Sequence, residues 1–130
     1  MTIELANSIT LTPTTAAIAA NRFLVMANAG AVAQAGTAGA DPIAVSAEPS
    51  AANSTVPIAA VPLTNGTTYE LEAGAAIDIS SAVVAVTTDN QGRVVTSASG
   101  NSRLGYARQS AAAAGEIIEV IFAPATRQTS

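Results

Sequence analysis

The sequence predicts an all-β fold: a small β-barrel or sandwich of short antiparallel strands with an internal duplication and few or no helices. Three observations carry that prediction. Apolar runs are short and rich in Val and Ile, and Gly, Asn, Asp and Pro punctuate them at close intervals. A hairpin signature, Asp89-Asn90-Gln91-Gly92, separates the β-branched run around Val83 to Thr88 from Val94 to Thr96. Two long stretches also align with each other, the mark of a structural unit used twice.

The elements follow in order. Thr2 to Thr12 alternates Ile3, Leu5, Ile9 and Leu11 with polar residues, so it reads as an N-terminal arm or as the first strand of the domain. The next segment, TPTTAAIAANRFLVMANAG, has the marks of a helix when taken alone, with Thr12 as a cap, Pro13 in the first turn and Gly30 as a stop. Its counterpart further along is the hairpin just described. The repeat therefore assigns a hairpin here too, Phe23 to Met26 and Ala31 to Ala33 around Asn28-Ala29-Gly30.

The remaining strands are expected near Ile43 to Val45, Val56 to Leu63, Tyr69 to Leu71, Leu104 to Arg108 and Glu116 to Phe122. Pro57 and Pro62 bracket one of them and suggest an edge strand, because proline gives no donor to a ladder.

The repeat is seen by setting IAVSAEPSAANSTVPIAAV, Ile43 to Val61, over LGYARQSAAAAGEIIEVIF, Leu104 to Phe122. In this gapless register Ser50-Ala51-Ala52 falls on Ala111-Ala112-Ala113 and Val56 on Ile117. Upstream, TAAIAAN parallels GAAIDIS, and Gly30 stands opposite Gly92. Each half ends in the same device, an alanine corner (a short bend or one helical turn in Ser110 to Gly115) feeding a closing strand. The 130 residues divide into residues 1–12, a first half-repeat 13–65, a second 66–125 and a tail 126–130, all in one β-rich domain.

Composition narrows function by exclusion. Hydrophobic residues are 49% of the chain but aromatics only 3%, and alanine is the largest share of the apolar count. A buried alanine methyl contributes about 0.8 kcal/mol against about 1.5–3 kcal/mol for a buried Val, Leu, Ile or Phe, so stability per residue is thin and an oligomer is expected to add burial. The basic residues are five dispersed arginines and the net charge is −4, which argues against nucleic acid and against an anionic membrane. No secretory signal is visible in MTIELANSITL, and no apolar run is long enough to span a bilayer.

Chemistry is equally sparse. With no His and no Cys, the commonest general bases, thiol nucleophiles and metal ligands are missing, so neither an enzyme nor a cofactor is expected. Glu70 and Glu72 alternate with Tyr69 and Leu71 and share one strand face, which reads as a solvated face rather than a paired-carboxylate site. Asp78 and Asp89 could be imagined as cation ligands, but Asp89-Asn90-Gln91-Gly92 lacks the alternating acidic ligands and distant glutamate of a calcium loop and reads as a hairpin turn. Glu116 and Glu119 read as rim charges. Arg103 and Arg108 flank LGYA, where they are solvated strand ends or partners for acidic groups of a neighbouring subunit.

The second half carries a specific order: GAAIDISSAVVAVTTDNQGRVV, then RLGYARQSAAAAGEIIEVIF. In Gly74 to Ile77, Asp89 to Val95, Leu104 to Ala107 and Ala111 to Phe122 it resembles the phage capsid decoration, or cement, proteins. The likeness covers Tyr69 to Phe122 well and Asp41 to Val61 in weaker form. It implies a β-rich subunit, most often a homotrimer, on the outer surface of a phage head, made in the host cytoplasm and clamping adjacent major capsid protein subunits. The contact surface expected from the residues is Ile3, Leu5, Ile9 and Leu11, which could add a strand to a partner's sheet, with Arg103 and Arg108 as a further capsid or subunit contact. Competing readings are a tail, baseplate or head-spike component, and a carbohydrate-binding β-module using Tyr69 or Tyr106.

Overall fold

Short β-branched runs broken by left-handed turns cannot build long strands, and the computed structural model, which describes residues 8–37, 39–98 and 103–125, contains ten short ones. The first five are β1 (Ile9–Leu11), β2 (Phe23–Met26), β3 (Val32–Gln34), β4 (Ala44–Ser46) and β5 (Ile58–Pro62). The second five are β6 (Thr68–Glu72), β7 (Ala85–Thr88), β8 (Val94–Thr96), β9 (Gly105–Ala107) and β10 (Ile117–Phe122). They form two five-stranded antiparallel sheets, ordered β1-β5-β4-β2-β3 and β6-β10-β9-β7-β8. Raising each label of the first sheet by five gives the second. The duplication in the sequence is a duplication of the fold.

The irregular contacts repeat as well. Pro13 bridges Val32 and Ala73 bridges Val94, both in parallel, so each sheet rolls until the chain leaving one edge strand meets the other edge strand. Ile18 pairs with Ser50 and Ile77 with Ala111, which fastens each alanine corner to the segment that crosses the open mouth of its sheet. The candidate helix from Thr12 does not form. Its residues instead cross the sheet mouth, turn at Asn21 (φ 62°) and enter β2. Among the described residues the helical content is one 3₁₀ turn, Asn28–Gly30, at the tip of the β2–β3 hairpin. The corner at Ser110 to Gly115 is a run of bends closed by Gly115 at φ 98°.

Two expectations need correction. The gapless register holds through β4, where Ser46 matches Ala107, but slips by one residue at the closing strand. Ala60 pairs with Ser46, and its equivalent Val120 pairs with Ala107, so the first corner is one residue longer than the second and Val56 matches Glu116. The proline-flanked strand is also interior, since β5 lies between β1 and β4. The direction of its donors explains how Pro62 is accommodated. Ala59 accepts from the Ala47 amide and the Leu63 amide donates to Ile43, so alternate residues bond β4 and the Pro62 nitrogen faces the β1 side. There β1 is described as pairing only up to Ala60, and no ladder bond is lost at Pro62 among the described residues.

The core is uneven. A smaller cluster, Ile18, Leu24, Val32, Ala44, Ile58 and Ala60 with Leu11 against it, fills the first rolled sheet. The larger one fills the second with Leu71, Ile77, Val86, Val94, Ile118 and Val120, and it takes in Phe23, Ala35 and Val45 from the first half. Phe23, 1% exposed, is one of the largest side chains in the interior and sits across the boundary. Alternation on β2 explains this: Leu24 points into its own sheet, while Phe23 and Val25 point toward the other.

Candidate functional site

With few chemical groups in the chain, two places are built from polar contacts: the seam between the halves and the outer edges of β1 and β6. At the seam, the turn Asn21-Arg22 is driven against the second half. Arg22 Nη2 meets Glu72 Oε1 at 3.0 Å, and Arg22 Nη1 donates to the Gln91 carbonyl at 2.9 Å. Arg93 reaches Glu72 Oε2 at 3.9 Å and binds Asp89 Oδ2 through Nε at 3.1 Å. These four side chains are 12–21% exposed, a partly desolvated chain of alternating charge. Backbone bonds reinforce it, Phe23 N to Gly92 O at 2.8 Å and Glu72 N to Asn21 O at 3.0 Å.

Gly92 is required here on two counts. Its φ is 75°, and a Cβ would lie 2.8 Å from the Phe23 carbonyl oxygen. Asp89 shapes the same tip by accepting from the amides of Gln91 and Arg93 with Oδ1, at 2.8 and 2.9 Å, as a hairpin turn requires. Glu70 and Glu72 do share a strand face, but they differ in surroundings. Glu70 is exposed, whereas Glu72 is covered by Arg22 and Arg93.

The two edge strands β1 and β6 occupy equivalent places. In β6 the odd-numbered residues bond β10, so the backbones of Thr68, Glu70 and Glu72 face outward. Asn21 takes two of those groups, receiving the Glu72 amide on its carbonyl and donating its side-chain amide to the Glu70 carbonyl at 3.0 Å. Beside it lies a cleft of about 320 Å³ lined by Val45, Ser46, Val61, Thr68 and Tyr69 among others. In β1, Ile9 and Leu11 face Ala60 and Ile58 on the bonding side of β5, so the backbone of Thr10 points away from the sheet. Among the described residues nothing covers it. Ile9 is 39% exposed, while Leu11 packs against the smaller cluster.

The expected surface residues are thus dispersed. Ile3 and Leu5 lie outside the described residues. Ile9 and Leu11 lie in β1, paired with β5. Arg103 donates through Nε to the Ala123 carbonyl at 2.9 Å and lies 4.8 Å from the centre of the Tyr106 ring. Arg108 pairs with Glu119 of β10 at 3.3 Å, with side chains 53% and 37% exposed. Both arginines have partners within the chain. Glu116 accepts from the Ala112 amide and stays exposed.

Tyr69 is 7% exposed, its hydroxyl donating to Pro62 O at 2.7 Å and accepting from Thr64 N at 2.8 Å, and its ring meets Phe122 edge-on. It is a core residue and not a sugar platform. The Asp78 carboxyl is held below the ordinary carboxylate range by hydrogen bonds from Ser80, side chain first and then backbone. Among the described residues no group of three or more acidic side chains is placed to hold a metal ion.

The family model of the phage cement proteins matches residues 3–122. This chain belongs to the phage cement protein family. It is a structural virion protein associated with the phage capsid. The fold of this cement protein is also found in the N-terminal base of the head fiber protein gp8.5 of bacteriophage phi29. The TM-score is 0.72 at 18% identity, over 89% of this chain and 94% of that one. No curated protein matches it at the level of sequence. The match to the family model runs from residue 3 and so takes in β1 and both halves, where the resemblance in the sequence was strong only from Tyr69 onward.

Proposed function

We propose that this cement protein binds the outer surface of the phage head as a homotrimer and stabilises contacts between major capsid protein subunits, with β1 and the residues leading into it as the capsid contact. The observation that carries this is the open β1 edge. Thr10 offers an outward amide and carbonyl, and Ile9 an exposed apolar side chain beside them. An extended capsid segment can add there as a further strand, main-chain bonds giving affinity and alternate side chains giving specificity. The net charge of −4 suits an outer surface better than the DNA-facing wall.

Trimer formation is supported by the alanine-rich core and by apolar groups left in solvent, Val83 at 82% and Val56 at 67% exposed. Arg103 and Arg108 supply a further capsid or subunit contact in this reading. Arg108 has guanidinium donors beyond the one given to Glu119, and its exposure leaves them within reach of a neighbouring carboxylate.

The test is co-sedimentation with expanded heads, with light scattering on the free protein. The parent protein is expected at three times the chain mass and to pellet with heads. Deleting Met1 to Asn7 is expected to leave the oligomer folded and to abolish pelleting. Thr10→Pro removes the outward donor without touching the β5 ladder and should do the same. Unchanged head binding by both variants would sink the β1 assignment, and a stable monomer in solution would remove the trimer.

A further inference from the structure

Between β5 and β6 the chain passes from one half to the other through Leu63 to Thr67, and this link contains an Asn-Gly step, Asn65-Gly66. Both residues are exposed, Gly66 has φ 88°, and nothing lies within 4 Å of where its Cβ would stand. With no side chain of its own, Gly66 does not shield its nitrogen from the Asn65 side chain. Its hydrogen bond does. The Gly66 amide donates to the Phe122 carbonyl at 2.8 Å, at the last residue of β10. Phe122 is itself fastened, its amide donating to Thr67 O at 2.9 Å and its ring meeting Tyr69 edge-on with centroids 6.5 Å apart. Tyr69 in turn holds the N-terminal side of the link, accepting from Thr64 N and donating to Pro62 O.

We infer that Asn65 is a site of spontaneous deamidation whose rate is set by release of the link from the end of β10. The chemistry needs only water. The Gly66 nitrogen gives up its proton to solvent base and attacks Asn65 Cγ; the new C–N bond closes a five-membered succinimide as the Cγ–Nδ2 bond breaks and ammonia leaves. Water then opens the ring to aspartate or isoaspartate. One water is consumed, one ammonia is released, and nothing is oxidised or reduced.

While Gly66 N–H is bonded to Phe122, the nitrogen cannot lose its proton and turn toward Cγ. Local opening of the β10 end is therefore the gate. The product adds a negative charge to the link between the halves, beside Thr67 and Thr68 of the cleft. In the isoaspartyl form it lengthens the main chain inside the turn that Thr67 N closes on Thr64 O at 3.1 Å.

The experiment incubates the full chain in mildly alkaline buffer, folded and in urea, and follows each asparagine by peptide mass mapping with aspartyl and isoaspartyl forms separated. In urea Asn65 is expected to be modified ahead of the other asparagines. In the folded protein its rate is expected to fall by at least about tenfold, since opening costs free energy. Tyr69→Phe, which releases Thr64 N and Pro62 O but keeps the ring contact, should recover part of that rate. Phe122→Leu serves the same purpose if Tyr69→Phe does not fold. Equal rates folded and unfolded would overturn the gate, as would a folded loosening variant no faster than the parent. Another asparagine reacting first in urea would overturn the site.

Discussion

The β2–β3 hairpin tip and the β7–β8 tip have the same place in their sheets and glycines in the same left-handed conformation, Gly30 at φ 77° and Gly92 at φ 75°. Their surroundings are opposite. Around Gly30 a Cβ would meet nothing within 4 Å, whereas at Gly92 it would press on Phe23 O, Arg22 Cβ and Ala35 N. One tip is a bare turn and the other is a docking point for the opposite half. The same holds for the edge strands: β6 is stapled by Asn21, and β1 is open. A duplicated unit has used one set of equivalent features internally and left the other set facing out.

The largest effect should come from breaking that comparison at the turns. Gly30→Ala carries only the cost of a left-handed alanine, roughly 1–2 kcal/mol. Gly92→Ala adds overpacking against backbone, about 1–3 kcal/mol more. Urea unfolding of the two variants measures the difference directly, and equal midpoints would mean that the seam yields more readily than the Phe23–Gly92 contact implies.

Next comes the ion-pair chain. Register places Thr12 of the first half opposite Glu72 of the second, because Leu11 and Leu71 occupy matching positions beside Ile58 and Ile118. Glu72→Gln strips the carboxylate from between Arg22 and Arg93 and leaves two part-buried cations facing each other. It should cost about 1–3 kcal/mol, less than for a fully buried pair. Thr12→Ala, on an exposed side chain, should stay within about 0.5 kcal/mol. If Glu72→Gln also fell within that range, the halves would be held by Phe23, its apolar neighbours and the hydrogen bonds to backbone across the seam, with the ion pairs adding little.

These two comparisons also mark what could be read in the sequence. The strands were legible because Val, Ile and Thr cluster between Gly, Asn and Pro turns. The two hairpins were legible because Gly30 and Gly92 fall in register, and the cement resemblance because the second half keeps its motif order. The seam was not. Arg22 and Glu72 lie 50 residues apart, and nothing local distinguishes Glu72 from Glu70 on the same strand face. Pro62 misled for a related reason. A proline excludes a donor on one side of a strand only, and the sequence does not say which side is paired. The one-residue slip after the corner was hidden by alanines, which align with one another in either register.

The smallest expected effect separates the two arginines that flank β9. Arg103 lies over the Tyr106 ring and donates to a carbonyl, so Arg103→Ala should cost about 0.5–1 kcal/mol in the free protein. Arg108 shares only an exposed pair with Glu119, and Arg108→Ala should shift stability by less than about 0.5 kcal/mol. Their order should reverse on the head. The residue that does least for the fold has the most freedom to serve a partner, so Arg108→Ala is expected to weaken head binding or trimer formation more than Arg103→Ala does. Binding curves for both variants at two salt concentrations check this, because an exposed charge contact weakens with added salt while a ring contact changes little. Equal loss for the two variants would place the contact on the β9 face as a whole and not on the Arg108 charge.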